Sequence, residues 1–178
     1  MPMYVVLLRG INLGARNRVS MPALRELLSG GGFGDVRTHL QSGNVVLSGA
    51  GKADEVARKC ERLIKRRLGL DIVVVVRTRA QLAAAVRRNP LARAAADPKR
   101  YQVTFLAGKL APAVRPQLEA AVVKPEQLVI GGREVYAWHP RGVARSRLWA
   151  LLAGPRLGVG ATSRNWTTVT KLLELAGG

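Results

Sequence analysis

Among 178 residues the chain holds one cysteine, Cys60, and two histidines, His39 and His139. A lone cysteine excludes an intrachain disulfide and suits a reducing compartment. Two histidines cannot build a His-rich metal site, and no HExxH, CxxC, GxSxG or phosphate-loop pattern is present. No metal and no cofactor is therefore expected. Apolar runs are short: none reaches the roughly 18 residues of a membrane span. The opening stretch MPMYVVLLRG has neither the charged head nor the long apolar run of a signal peptide. The expectation is a cytoplasmic protein with no membrane partner. Acidic residues are also scarce, 11 against 29 Lys and Arg, for a formal net charge of +18.

What is present describes a globular protein. Apolar residues make up 48% of the chain and charged residues 22%, unlike a disordered tail. A chain of this size buries roughly 70% of its unfolded surface, enough for one large core or two small ones. The positive charge is evenly spread, +10 in residues 1–90 and +8 in residues 91–178. A dedicated basic tail would be lopsided. Of the 29 bases 22 are Arg, and together with abundant Ala, Gly, Leu and Val this fits a compositional bias as well as phosphate contacts. A polyanion partner is one reading, a generally basic surface the other.

The apolar patterning gives an ordered set of elements. Met3 to Leu8 reads as a central strand, apolar on both faces, followed by a glycine-bearing loop from Arg9 to Val19. Ser20 can cap a helix carrying Leu24, Leu27 and Leu28, which stops at Gly30-Gly31-Gly32. Val36 to Leu40 and Asn44 to Ser48 form a hairpin around Gln41-Ser42-Gly43. A helix from about Lys52 to Leu68 has one apolar stripe, Val56, Cys60, Leu63, Ile64 and Leu68, with acids at its start, bases at its end and Gly69 as its stop. Ile72 to Val76 is a strand buried on both faces. This order, β-α-β-β-α-β, is the ferredoxin-like one.

Arg79 to Ala96 is helical apart from a break at Asn89-Pro90, and Asp97-Pro98 marks a junction. The pattern then repeats. Tyr101 to Ala107 is a strand, Pro112 to Val122 a helix, Leu128 to Ile130 and Glu134 to His139 a hairpin around Gly131-Gly132. Arg145 to Leu152 and Asn165 to Ala176 are helices. The second half thus reads β-α-β-β-α-α, lacking a last strand. The expected fold is α+β, with two tandem ferredoxin-like lobes, the second an imperfect copy. The domains are residues 1–78, a helical linker at 79–98, and residues 99–178. A single sheet spanning both halves is the rival.

Three segments place small, amide and cationic residues beside regular elements. Arg9-Gly10-Ile11-Asn12-Leu13-Gly14 ends the first strand, where glycine lets backbone approach a ligand and Arg9 and Asn12 offer directed donors. Gln41-Ser42-Gly43-Asn44 occupies the hairpin and is also good turn chemistry. Arg164-Asn165-Trp166 precedes the last helix, which Asn165 can cap; Lys171 lies one turn further on. Free amides at that helix start, with Arg164, favour an anion, while Trp166 can equally be a buried anchor. A fourth cluster is Tyr136, Trp138, Arg141, Arg145, Arg147 and Trp149. Aromatics beside arginines can stack bases, or they can be the core face of a strand. The strand Asn44 to Leu47 has no aromatic, so the base-stacking surface of an RNA-recognition module is missing.

Arg9-Gly10-Ile11-Asn12 through Gly14, Gln41-Ser42-Gly43-Asn44-Val45, Gly142 through Arg145-Ser146, and Arg164-Asn165-Trp166 to Lys171-Leu172 together resemble the domain-of-unknown-function 1697 family. The likeness runs from about Met3 to Leu175. Ala15 and Arg16 stand where that family often has Gly and Lys, and Thr167 where it often has Asn. The resemblance implies the two-lobed α+β fold and supplies no reaction.

The leading expectation is a binding protein for an anionic ligand, a nucleotide or nucleic acid. Its site comprises Arg9, Gly10, Asn12, Gly14, Ser42, Gly43, Asn44, Arg164, Asn165, Trp166 and Lys171. The alternatives are an enzyme acting on a small phosphorylated or carboxylated substrate, its catalytic residues unassigned, and an interaction module with no small-molecule site.

Overall fold

A computed structural model describes residues 1–177. The elements run in order β1 (Met3–Leu8), α1 (Met21–Gly30), β2 (Gly34–His39), β3 (Asn44–Ser48), α2 (Ala53–Leu68), β4 (Val74–Thr78) and α3 (Arg79–Arg88). After a 3-10 turn at Ala92–Ala96 come β5 (Tyr101–Leu106), α4 (Val114–Ala121), β6 (Gln127–Gly131), β7 (Glu134–Trp138), α5 (Arg147–Ala153), β8 (Ala161–Asn165) and α6 (Trp166–Gly177). The fold is α+β with two ferredoxin-like lobes, each built on its own four-stranded antiparallel sheet. Strand order is β2-β3-β1-β4 in the first and β6-β7-β5-β8 in the second. Compact packing divides the chain into Met1–Ala84 with the segment from Lys171 onward, and Ala85–Thr170.

In the first lobe β1 is central, as its two apolar faces require, with β3 and β4 as antiparallel neighbours. Tyr4, Val6 and Leu8 alternate onto one face, where they join Leu24 and Leu28 of α1 and Val56, Cys60 and Ile64 of α2 in a single core. Both helices stop where the sequence places glycine. Gly31 closes α1, and Gly69, in the left-handed conformation at φ 69°, closes α2. Cys60 is fully buried in this core, and burial pushes its thiol up to about 12, so it is packing material.

The second lobe corrects the expected β-α-β-β-α-α order. Thr162 to Arg164, which precede the expected helix, and Asn165, its expected first residue, form strand β8 together with Ala161, and β8 pairs antiparallel with β5. Apart from Thr162, the residues Ser163, Arg164 and Asn165 are weak strand formers. The pairing with the fully buried β5 overrides their propensity. Arg164 and Asn165 therefore lie in the sheet and not in a loop. The core here collects Leu106, Leu118, Val135, Ala137, Leu148 and Leu152.

The repeat extends to single residues. Val5 of β1 pairs with Arg77 of β4, and Val103 of β5 with Arg164 of β8. Each arginine is followed by one residue of strand and then a helix, α3 or α6. Nη1 of each donates to the carbonyl before it, Arg77 to Val76 at 3.1 Å and Arg164 to Ser163 at 2.8 Å.

Candidate functional site

In the first lobe the structure brings two of the three expected segments together. Leu8 N–H donates to Gly43 O at 2.9 Å, and the Asn12 side chain spans the gap between the loops. Its amide nitrogen donates to Val19 O at 2.8 Å and to Gln41 O at 2.7 Å, while its oxygen accepts from Val19 N–H at 2.8 Å. Three bonds on one amide make Asn12 a staple of the 9–19 loop. Asn44 is buried and its amide donates to His39 O and to Ser42 Oγ, at 3.0 and 3.1 Å. Gly43 sits at φ 79° directly beneath Ile11. A Cβ there would lie 2.7 Å from Leu8 Cβ and 2.9 Å from Ile11 Cδ1, so only glycine fits. Gly10 and Gly14 carry the loop through left-handed turns at φ 67° and 63°. Arg9 is half-buried at the root of this loop. The amides expected to read a ligand are committed to holding the loops.

Arg164, Asn165 and Trp166 lie in the second lobe. Asn165 Oδ1 accepts from Thr168 N–H at 2.9 Å and caps α6. Trp166 is buried and stacks on Tyr101 with ring centroids 4.7 Å apart, the arrangement of a packing anchor. Arg164 Nη1 donates to Thr162 Oγ1 at 2.7 Å as well as to Ser163 O. Burial pulls its guanidinium down to about 10, so it remains a cation at neutral pH. Lys171 is half-exposed on α6 and pairs with Glu174 at 3.0 Å.

The cavity with the clearest ligand character lies elsewhere in the second lobe. Two connections form its walls: residues 122–126 between α4 and β6, and residues 139–146 between β7 and α5. It has a volume of about 610 Å³ and is lined by Lys124, Arg141, Arg145 and Arg147 together with Val123, Pro125, Pro140 and Ala144. All four cations are exposed. Among the described residues none of the four forms a salt bridge.

Glu126 pins the two walls together. Its Oε2 accepts from Ser146 Oγ at 2.5 Å and from His139 Nδ1 at 2.7 Å, and its Oε1 accepts from Val123 N–H at 3.3 Å. Burial raises the Glu126 pKa, but the hydrogen bonds from Ser146, His139 and Val123 outweigh it and hold the carboxyl below its usual range. His139 is fully buried, edge-on to Trp149 at 5.8 Å. The long loop is folded by turns, Gly142 N–H to His139 O at 2.8 Å and Ser146 N–H to Val143 O at 3.1 Å. Arg100 Nη1 reaches over to Pro140 O at 2.6 Å.

Ser146, His139 and Glu126 have the composition of a nucleophile triad but not its geometry. The hydroxyl and the carboxylate sit at the same ring nitrogen, 3.2 and 2.7 Å from Nδ1, while Nε2 is buried without a hydrogen-bond partner. A triad places nucleophile and carboxylate on opposite ring nitrogens. Ser146 also accepts from Trp149 N–H at 3.0 Å, capping α5. The trio is a clamp.

Of the fourth sequence cluster, Tyr136 is withdrawn from any ligand role by packing, while Trp138 is half-buried. Tyr136 is fully buried, with its hydroxyl on Ala85 O at 2.7 Å. Arg141, Arg145 and Arg147 line the pocket. Lys124 and Glu126 carried no sequence signal, because they meet the 139–146 loop only through the β6-β7 hairpin. Among the described residues no group of three or more His, Cys, Asp or Glu could hold a metal ion, and no helix is long and apolar enough to cross a membrane.

Comparison with known proteins agrees with this architecture. A family model described as "Protein of unknown function (DUF1697)" matches residues 1–136. The chain is similar to the conserved bacterial protein SP0830 from Streptococcus pneumoniae. That likeness has 22% sequence identity and a TM-score of 0.82, over 98% of each chain, and it is one of fold. No curated protein matches the chain.

Proposed function

The chain belongs to the DUF1697 family, and from its own geometry we propose that it binds an anionic ligand in the basic pocket of its second lobe. The observation that carries this reading is four exposed cations, none of them ion-paired among the described residues, around a cavity whose walls are clamped by Glu126. Like charges lining one cavity raise one another's free energy, and a bound anion relieves that cost. Three of the four are arginines, which match phosphate and carboxylate oxygens bidentately. Val123, Pro125, Pro140 and Ala144 offer an apolar wall for the rest of the ligand. A mononucleotide combines a phosphate with a flat body of suitable size. Glu126, kept ionised by three donors, is a poor proton acceptor, which favours binding over catalysis.

The test is a thermal-shift screen of mononucleotides, sugar phosphates and short oligonucleotides at low and moderate salt. At a hundredfold excess over Kd a specific ligand stabilises by about 2.7 kcal/mol, roughly 5–10 °C for a chain of this size. The expected result is a shift with adenosine monophosphate that survives about 0.15 M salt and is lost in Arg145→Ala. A response confined to oligonucleotides and abolished by salt would reduce the pocket to part of a general basic surface.

A further inference from the structure

The pocket has five ionisable lining residues, and one of them has the wrong sign for a purely anionic ligand. Glu126 lines the cavity beside Lys124, Arg141, Arg145 and Arg147. Its Oε2 is occupied by Ser146 and His139. Its Oε1 takes only the long bond from Val123 N–H, 3.3 Å, and the side chain retains 11% of its exposure. A carboxylate offers about four acceptor sites, so Glu126, a residue of the pocket lining, keeps acceptor capacity beyond its three hydrogen bonds. A negatively charged group placed against it is repelled; an ammonium or hydroxyl donor is attracted.

We propose that the pocket takes an amphoteric ligand, a small phosphorylated or carboxylated compound that also carries an ammonium or hydroxyl donor, and that Glu126 is its specificity-determining residue. The anionic end lies on Arg141, Arg145 and Arg147, and the donor end on Glu126 Oε1. This rests on the anion-binding reading above and adds the demand for a donor. It also accounts for an acid in a cavity whose other ionisable lining residues are all bases. Serine alone at that wall would cap α5 equally well.

Calorimetric titration of the full chain with two probes that differ only in a terminal ammonium, phosphoethanolamine and ethyl phosphate, tests it. The expected result is a preference for phosphoethanolamine of roughly tenfold, the worth of one charge-assisted hydrogen bond. In Glu126→Gln that preference disappears and the two probes bind alike. Equal affinity of the two probes for the wild-type chain overturns the proposal and leaves the anion-binding reading standing. A Glu126→Gln chain that weakens both probes alike also overturns it, because a purely structural clamp acts that way. Binding of neither probe overturns both readings. Where the variant fails to fold, the ratio of the two wild-type affinities decides.

Discussion

The two lobes share strand order and even an arginine at the same place in the sheet, yet they differ in which connection is long. In the first lobe the link from the first strand to the first helix spans residues 9–20, against 107–113 in the second. In the second lobe the link from the third strand to the second helix spans residues 139–146, twice the length of 49–52 in the first. The helix that follows shrinks in step, from Ala53–Leu68 to Arg147–Ala153. The two long loops also end differently. That of the first lobe is closed by side chains: Asn12 fills it with three hydrogen bonds and Gly43 packs beneath it. That of the second is clamped at its base by Glu126 and leaves a cavity lined with arginine. On a shared scaffold with one filled loop and one open loop, the proposed ligand site falls in the open one.

The sharpest way to break this contrast is a pair of glycine substitutions. Gly43→Ala forces a Cβ against Leu8 and Ile11 and is expected to cost about 3 kcal/mol or more, from overpacking and backbone strain together. Gly142→Ala has the same left-handed backbone, φ 83°, but no atom within 4 Å of the added carbon. Its expected cost is the backbone alone, about 1 kcal/mol. Chemical denaturation of both variants checks the difference. Equal costs would mean that the second loop is as tightly packed as the first.

Removing polar side chains separates the lobes next. Asn12→Ala leaves Val19 and Gln41 short of partners and is expected to destabilise by about 2–3 kcal/mol. Arg145→Ala, on an exposed and unpaired side chain, is expected to stay within about 0.5 kcal/mol of wild type while losing ligand-dependent stabilisation. A stable Asn12→Ala chain that no longer binds would move the site to the first lobe.

Much of this was legible from residues and spacing. The apolar faces of Met3 to Leu8, the stripe on α2 and the stop at Gly69 all depend on local periodicity and turn chemistry, and each lies where that chemistry puts it. Strand β8 was not legible, because Thr-Ser-Arg-Asn has no strand signature and becomes one only beside β5. The arginines of the 139–146 loop were visible as a cluster. Their partner wall was not, since Glu126 and Ser146 lie twenty residues apart and meet through the fold. The amides of Asn12 and Asn44 look the same in sequence whether they face a ligand or a neighbouring carbonyl.

A smaller effect probes the clamp through pH. Glu126 has a folded-state pKa below its unfolded value, so it stabilises the second lobe at neutral pH. That contribution begins to fade as pH falls to about 4, the ordinary glutamate range, and is lost on passing below the folded value. Glu126→Gln is expected to be less stable than wild type at pH 7 and to show a smaller further loss between neutral and acid pH. Parallel curves for the two chains would show that the carboxylate is not what joins the walls.

The most direct test of the central claim is an amide chemical-shift map of the isotopically labelled chain titrated with adenosine monophosphate at moderate salt. The open-loop account predicts saturable shifts centred on residues 122–126 and 139–147. Shifts centred instead on residues 9–19 and 41–44 would contradict it and return the site to the first lobe.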